Sequence, residues 1–210
     1  MSLGILGKKI GMTQVFDSKG NVIPVTIIKS GPCYVTQIKS DINCGYNAIQ
    51  LGYIEISANQ KRITKPRLGH FNKVNLPPYR YLKEYKTQNL DYDIGQKFSV
   101  EMFEIGQEIT VTGLTIGKGN AGNIKQHHFS SGPKSHGSKH KRMQGSIGAG
   151  TTPGRVIPGK KMPRRFGNFQ RTITGLEIIA IDQKENLLVI KGSVPGKSGN
   201  LVSVKMKKET

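Results

Sequence analysis

Cationic and imidazole side chains are concentrated in one segment of this chain of 210 residues. Residues 109–175 contain twelve Lys and Arg and four of the five His, but neither Asp nor Glu. A protein face that meets only solvent normally mixes charges of both signs, whereas cations without counter-charges indicate a surface for a polyanion. The segment therefore predicts a nucleic-acid interface.

The candidate contact residues are the cations and histidines of this segment. Lys and Arg bind phosphate oxygens, and His hydrogen-bonds to nucleotides or stacks on them. The residues are Lys118, Lys125, His127, His128, Lys134, His136, Lys139, His140, Lys141, Arg142, Arg155, Lys160, Lys161, Arg164, Arg165 and Arg171. Because the sequence shows no helix-turn-helix, zinc finger or basic helix, folded RNA is favoured over the DNA major groove.

The four histidines also invite comparison with metal and catalytic sites. Zinc takes about four converging ligands, often including Cys, but Cys33 and Cys44 lie far upstream of the histidines. A catalytic His needs a carboxylate to orient it, and the segment has none. We therefore expect neither a metal site nor a catalytic residue.

Two glycine-containing motifs resemble cofactor loops. Gly117–Gly122 matches G-x-G-x-x-G, but we expect no amphipathic helix after it, and no acidic residue lies about 20 positions later as a dinucleotide site requires. Gly192–Ser198 resembles a phosphate loop but has one residue too few between its glycines. We expect turns at both places, no cofactor and no small-molecule substrate. The alternative hypothesis is a small barrel enzyme that binds a nucleotide cofactor through Gly117–Gly122.

The composition limits the classes of protein to which the chain belongs. The net charge is +19 and only 35% of the residues are hydrophobic, so little of the chain is available for a core. No stretch approaches the roughly 18 apolar residues of a membrane span, and residues 1–8 lack a secretory signal pattern. Two cysteines are too few for a disulfide framework. We expect a protein without membrane partners that acts in the compartment where it is made.

Short runs rich in β-branched residues lie on both sides of the basic segment. Turn residues such as Gly, Pro, Asn and Asp separate these runs, and this pattern is typical of a small barrel or sandwich. The expected strands are Val22–Ile28, Tyr34–Ile38, Ala48–Ile56, Phe98–Phe103, Glu108–Ile116, Thr172–Asp182, Asn186–Lys191 and Leu201–Met206. The basic segment therefore reads as an insertion between two strands of one sheet.

The pattern predicts a mainly β protein with three parts. Residues 1–116 and 172–210 would form the β-barrel body, and residues 117–171 an extended, Gly-rich, RNA-binding loop. Residues 61–93, with their prolines and aromatics, would form a small irregular or helical subdomain inserted in the body. We expect one short helix there, near Tyr79–Tyr85.

Several strings of residues are similar to one protein family. Leu6–Phe16 (LGKKIGMTQVF), Gly145–Arg155 (GSIGAGTTPGR) and Gly159–Met162 (GKKM) are the most informative. Shorter matches lie at Gly117–Gly119, Lys125–Phe129, Ser135–Ser138, Asn186–Gly192 and Val194–Gly196. On these residues the chain resembles the third large-subunit ribosomal protein family, and most closely its cyanobacterial and plastid branch.

The resemblance implies a structural constituent of the large ribosomal subunit that is not an enzyme. It implies a six-stranded translation-protein-like β-barrel with a small α+β subdomain and a long basic loop. Members of the family bind large-subunit (23S-type) rRNA directly, act early in assembly and neighbour other large-subunit proteins. The expected location is the ribosome, in plastid stroma or in cyanobacterial or bacterial cytoplasm. A free-standing RNA chaperone is a further alternative.

The resemblance also implies that the loop reaches toward the peptidyl-transferase centre. The residues at its tip would be Gly148, Ala149, Gly150, Thr151, Thr152 and Pro153. Many bacterial members carry a methylated Gln immediately before the Thr-Pro-Gly string. Thr151 stands at that position here, so the resemblance does not extend to this modification.

Overall fold

Runs of β-branched residues form most strands of the computed structural model, which describes residues 3–56 and 63–207. Pairing between strands satisfies the backbone N–H and C=O groups that an extended chain presents on both sides. The strands are β1 (Gly4–Phe16), β2 (Val22–Ser30), β3 (Cys33–Lys39), β4 (Ala48–Glu55), β5 (Tyr79–Lys86), β6 (Lys97–Phe98), β7 (Glu108–Leu114), β8 (Asn120–Ala121), β9 (Arg164–Arg165), β10 (Gln170–Asp182), β11 (Leu187–Lys191) and β12 (Leu201–Met206). The prediction of a mainly β protein is confirmed.

Helices are short throughout the described part of the chain. They are α1 (Asp41–Cys44), α2 (Lys65–Asn72) and α3 (Asn123–His127), and a single 3-10 turn covers Val100–Met102. Over residues 3–56 and 63–207, no helix is both long and apolar enough to cross a membrane.

Residue contacts divide the chain into two units. The first unit comprises residues 1–114 and 170–210, and the second unit comprises residues 115–169. These bounds lie two residues from the segment ends expected from the sequence. Parts of the expected segments lie outside the described residues, namely 1–2, 57–62 and 208–210.

Six strands of the first unit form a closed ring in the order β1, β12, β7, β10, β11, β2, which closes because β2 pairs with β1. All neighbours in the ring are antiparallel. Ile28, Val111, Ile178, Ile190 and Val204 come from five of these strands, and all five are fully buried in one hydrophobic cluster. Burying side chains of this size stabilises a fold by about 1.5–3 kcal/mol each.

The basic segment is inserted between two neighbouring strands of the ring. β7 and β10 pair directly, and Leu114 at the end of β7 lies opposite Gln170 at the start of β10. The chain therefore leaves the first unit and returns to it at adjacent positions.

β1 is the longest stretch of strand that the sequence pattern did not predict. Gly4, Gly7 and Gly11 interrupt its apolar residues and hide the alternation that identifies a strand. Close packing explains two of these glycines. A Cβ on Gly4 would lie 2.5 Å from the carbonyl oxygen of Val204, and one on Gly7 would lie 2.9 Å from the carbonyl oxygen of Lys29. The glycines therefore permit close contact with β12 and β2 rather than ending the strand.

A second sheet of the first unit has the strand order β5, β4, β3, β6. The helix expected near Tyr79–Tyr85 is wrong, because these residues form β5, which pairs with β4 and buries Tyr79 and Tyr85. Pairing with β4 thus determines the structure of a segment whose aromatic residues are compatible with both a helix and a strand. The helix of this region is α2, whose Phe71 packs edge-on against Tyr79 with ring centroids 5.9 Å apart.

The strand expected over Phe98–Phe103 is also wrong for most of its length. Only Phe98 belongs to a strand, and a 3-10 turn follows that buries Val100. Phe103 is buried as well. The apolar residues of this run therefore pack into the core from a turn, which the alternation of the sequence could not distinguish from a strand.

The two sheets of the first unit share one core. Tyr85 of β5 is fully buried, and its hydroxyl lies 2.7 Å from the Ser203 hydroxyl of β12. Cys33 of β3 is buried beside β1, where its Sγ accepts a hydrogen bond from the Leu6 N–H at 3.4 Å. Burial raises the pKa of the Cys33 thiol to about 12. Cys44, in contrast, is exposed, and both cysteines are free thiols.

Candidate nucleic-acid interface

The second unit begins and ends as two antiparallel limbs held by backbone hydrogen bonds. Thr115 donates its N–H to the Phe169 carbonyl at 2.9 Å, and the Phe169 N–H donates to the Thr115 hydroxyl at 3.2 Å. Farther along, the Lys118 N–H donates to the Phe166 carbonyl, and the Phe166 N–H donates to the Gly119 carbonyl, both at 2.8 Å. This ladder aligns the two limbs without a hydrophobic core.

Side chains continue the connection beyond the short pair β8–β9. Asn123, which is almost fully buried in α3, donates its side-chain N–H to the Lys161 carbonyl at 3.2 Å. His127, at the end of the same helix, places Nε2 3.3 Å from the Met162 carbonyl, so the ring donates if Nε2 carries the proton. Both contacts fix the returning limb against α3.

The part of the second unit farthest along the chain from these limbs has only local hydrogen bonds of its own. Gly132 donates its N–H to the Lys141 carbonyl at 3.1 Å, and Gly154 donates to the Gly150 carbonyl at 3.1 Å. No helix or strand is formed between α3 and β9. The expected tip residues 148–153 all lie here and are all exposed.

The predicted contact residues are at the surface. All of them are exposed except His127, which is half-buried by its contact with Met162. All of them lie in the second unit except Arg171, which belongs to β10 of the first unit. The structure thus assigns His127 a structural hydrogen bond, a role the sequence did not predict.

One cleft of the second unit brings several predicted residues together. It has a volume of about 270 Å³ and is lined by His127 and by residues 159–164, which include Lys160, Lys161 and Arg164. Three cationic side chains on one short stretch of the returning limb therefore share a concave surface. Such a surface suits an anionic ligand.

Within residues 3–56 and 63–207, the cations of the second unit have no acidic partners. The ion pairs found among the described residues are Lys39–Glu84, Lys191–Glu177 and Lys207–Glu108, all in the first unit. The second unit carries eleven Lys and Arg and no Asp or Glu. Among the described cations of this unit, only Lys118 contacts an aromatic ring, with its Nζ 5.1 Å from the ring centroid of Phe166. The unit is therefore a surface of uncompensated positive charge.

Two features of the structure bear on metal and cofactor binding. Among residues 3–56 and 63–207, no three His, Cys, Asp or Glu side chains are grouped as metal ligands would be. The sequence predicts no amphipathic helix after Gly117–Gly122, and the structure has a helix of five residues there, α3, which begins at Asn123. It ends after little more than one turn at His128, which adopts a left-handed conformation with φ 59°. A dinucleotide site places the pyrophosphate at the N-terminus of a longer helix, which α3 does not provide.

Gly167 positions the two limbs of the second unit, a role that no pattern in the sequence predicts. Its φ is +70°, and a Cβ there would collide with the carbonyl oxygen of Ile116. Only glycine satisfies both conditions. A lone glycine among thirteen in the segment cannot be recognised without this geometry.

We expect Gly167→Ala to open the limbs locally. A left-handed alanine costs about 1–2 kcal/mol, and the collision with Ile116 adds to it. Amide hydrogen exchange at Lys118 and Phe166 should accelerate more than tenfold. Gly119→Ala is the matched control, because Gly119 also has a positive φ, of +66°, but open space around it. Equal acceleration in both variants would show that the collision contributes nothing.

Comparison with known proteins places the chain in a family. Residues 84–187 match the sequence model of the family described as Ribosomal protein L3. The chain is 52% identical over 206 residues to the large ribosomal subunit protein uL3c of Guillardia theta, covering 98% of this chain and 100% of that protein. It is 53% identical over 205 residues to uL3c of Phaeodactylum tricornutum, covering 97% and 98% of the two chains. It is 52% identical over 205 residues to uL3 of Synechococcus elongatus, covering 97% and 95%. The chain therefore belongs to the ribosomal protein L3 family and is a structural ribosomal protein, not an enzyme.

Proposed function

We propose that the chain is a constituent of the large ribosomal subunit that binds its rRNA directly through the second unit. The observation that carries this proposal is the charge of the second unit, which has eleven Lys and Arg, all exposed, and neither Asp nor Glu. Positive charge at this density repels itself unless a polyanion neutralises it. The relatives named as large ribosomal subunit proteins support rRNA as that polyanion.

The two limbs provide most of the phosphate contacts. Lys118, Lys125 and the group from Lys134 to Arg142 would contact RNA from one limb, and Arg155 to Arg165 from the other. Exposed glycine N–H groups add short-range donors to phosphate oxygens. If about ten cations meet phosphates, the log–log dependence of affinity on salt has a slope of roughly −7 to −9.

The tip has a different chemistry from the limbs. Residues 145–154 carry no charge and include four glycines, and they lie between the cations Arg142 and Arg155. Small, uncharged residues allow the backbone to approach a rigid surface closely. We assign this tip to the neighbourhood of the peptidyl-transferase centre, with an early role of the whole chain in subunit assembly and contacts to neighbouring large-subunit proteins. The ribosome concerned is that of a plastid or of cyanobacterial cytoplasm.

Sedimentation tests the proposal directly. The tagged protein, expressed in a plastid-bearing or cyanobacterial host, should co-sediment with large subunits through a sucrose gradient at high salt. Protein that stays at the top of the gradient at physiological salt would instead support a free-standing RNA chaperone. Equilibrium dialysis against flavin and nicotinamide nucleotides provides the second check. Saturable micromolar binding there would contradict the proposal and favour the enzyme hypothesis.

A further inference from the structure

Two lysines of the first unit converge on one aromatic ring. The Nζ atoms of Lys83 in β5 and Lys205 in β12 lie 5.9 Å and 5.2 Å from the ring centroid of Tyr85. Tyr85 itself is fully buried, so both ammonium groups contact a side chain of the core. Burial, followed by the positive charge of Lys205, lowers the pKa of Lys83.

Neither lysine has a carboxylate partner among the described residues. The nearest acid in the sequence, Glu84, lies on the opposite face of β5 because side chains alternate along a strand. Its carboxylate is occupied by Lys39 at 2.7 Å and by the Tyr46 hydroxyl at 2.8 Å. Two like charges thus act on each other, and the described residues supply no counter-ion, an arrangement that an anionic ligand would stabilise.

A cleft lies beside Lys83 within the first unit. Its volume is about 320 Å³, and Lys83 forms part of its wall. Leu114 and Leu201 supply apolar surface, while Gln170 and Asn200 supply carboxamide groups. This volume is at the lower end of the range for ligand pockets, about 300–1,000 Å³. The cleft therefore combines apolar, hydrogen-bonding and cationic surface in the space of one small ligand.

We propose that this cleft binds a single nucleotide of ribosomal RNA, with its base against Leu114 and Leu201 and its phosphate at Lys83 and Lys205. The ligand is RNA on the strength of the proposed function. An unpaired base needs an apolar face and groups that both donate and accept hydrogen bonds at its edge, which carboxamides provide. A carboxylate of an acidic peptide would use the two lysines but leave the apolar and carboxamide surface without a role.

The site is separate from the contact residues predicted from the sequence. Those residues lie between Lys118 and Arg171, and neither Lys83 nor Lys205 is among them. The cleft gives the first unit a recognition role in addition to holding the ends of the second unit.

Photo-crosslinking of the full-length protein tests the site. A single-stranded decamer containing 4-thiouridine is irradiated with the protein, and the cross-linked peptides are mapped by mass spectrometry. We expect two groups of cross-links, one in residues 115–171 and one in the peptides around Lys83 and Leu201–Lys205. The variant K83Q/K205Q should lower the yield of the second group at least tenfold and leave the first group unchanged.

Two further variants separate charge at the cleft from charge in general. K83R/K205R keeps both cations and should keep the yield. K191Q/K207Q removes two cations that are paired with carboxylates elsewhere in the first unit, and it should not affect the cleft.

Three results would overturn the proposal. The first is the absence of cross-links at the cleft although residues 115–171 are labelled. The second is a loss in K83Q/K205Q that K83R/K205R does not avoid. The third is displacement of the cleft-bound RNA by a hexaglutamate peptide at equal concentration, which would assign the cleft to an acidic protein segment. Cross-links nowhere in the chain would instead contradict RNA binding as such, and with it the proposed function.

Discussion

A chain in which Asn-Gly replaces residues 122–163 should fold but fail to join large ribosomal subunits stably. The design uses the pairing of Ala121 with Arg164 at the ends of β8 and β9, which a two-residue Asn-Gly turn can connect. The ring and its hydrophobic cluster lie wholly in the first unit and remain intact. The deletion removes eight of the eleven Lys and Arg of the second unit.

The expected loss is large because it is electrostatic and additive. Affinity for large-subunit RNA should fall by about three orders of magnitude at physiological salt, and the salt slope should become shallower by about 6. Filter binding over a salt series measures both, while gradient sedimentation measures incorporation. Circular dichroism should show a β spectrum and a cooperative thermal transition.

A full-length variant with the same eight cations changed to Gln is the matched control. It keeps the length and glycines of the second unit and removes only its charge. We expect nearly the same loss of RNA affinity as in the deletion. Wild-type sedimentation of the deletion variant would refute the role of the second unit, and wild-type affinity of the Gln variant would show that charge does not carry the binding.

Tyr85→Ala should destabilise the first unit by about 3–5 kcal/mol, the usual cost of removing a buried aromatic side chain. Tyr85 joins β5 to β12 through the Ser203 hydroxyl and is fully buried among residues of both sheets. The loss corresponds to a fall in the melting temperature on the order of 10 °C. Urea unfolding followed by circular dichroism measures the change in the free energy of unfolding.

Tyr85→Phe separates the hydroxyl from the ring. It keeps the packing but leaves the Ser203 hydroxyl without its partner, so it should cost only about 1 kcal/mol. If Tyr85→Ala cost no more than Tyr85→Phe, the ring would not be part of the connection between the two sheets.

The strands that the sequence predicted correctly share a simple property. β2, β4 and β12 are rich in apolar and β-branched residues and are bounded by turn residues, so local preference and tertiary pairing agree. β1 and β5 lack this property, and the sequence pattern did not predict them as strands. β1 contains glycines that tight packing requires, and the aromatics of β5 become a strand only because β4 lies beside them.

Charge could be located from the sequence, but the roles of individual residues could not. The absence of acids identifies the second unit at once, because it needs only counting. His127 and His128 are indistinguishable in the sequence, yet His127 contacts the Met162 carbonyl while His128 ends α3 in a left-handed conformation. The pairing of Asn123 with Lys161 joins residues 38 positions apart and leaves no trace in local pattern.

The adjacency of Leu114 and Gln170 has a consequence for the length that the inserted segment can have. Since the pairing of β7 with β10 fixes both ends of the inserted segment, the entropy lost on closing it grows only with the logarithm of its length. Doubling the insertion would cost about 0.6 kcal/mol, a small part of the stability of a domain. Folding of the ring thus places almost no limit on how long or short the insertion becomes. Under the proposed function, the RNA that the insertion contacts would therefore set its length.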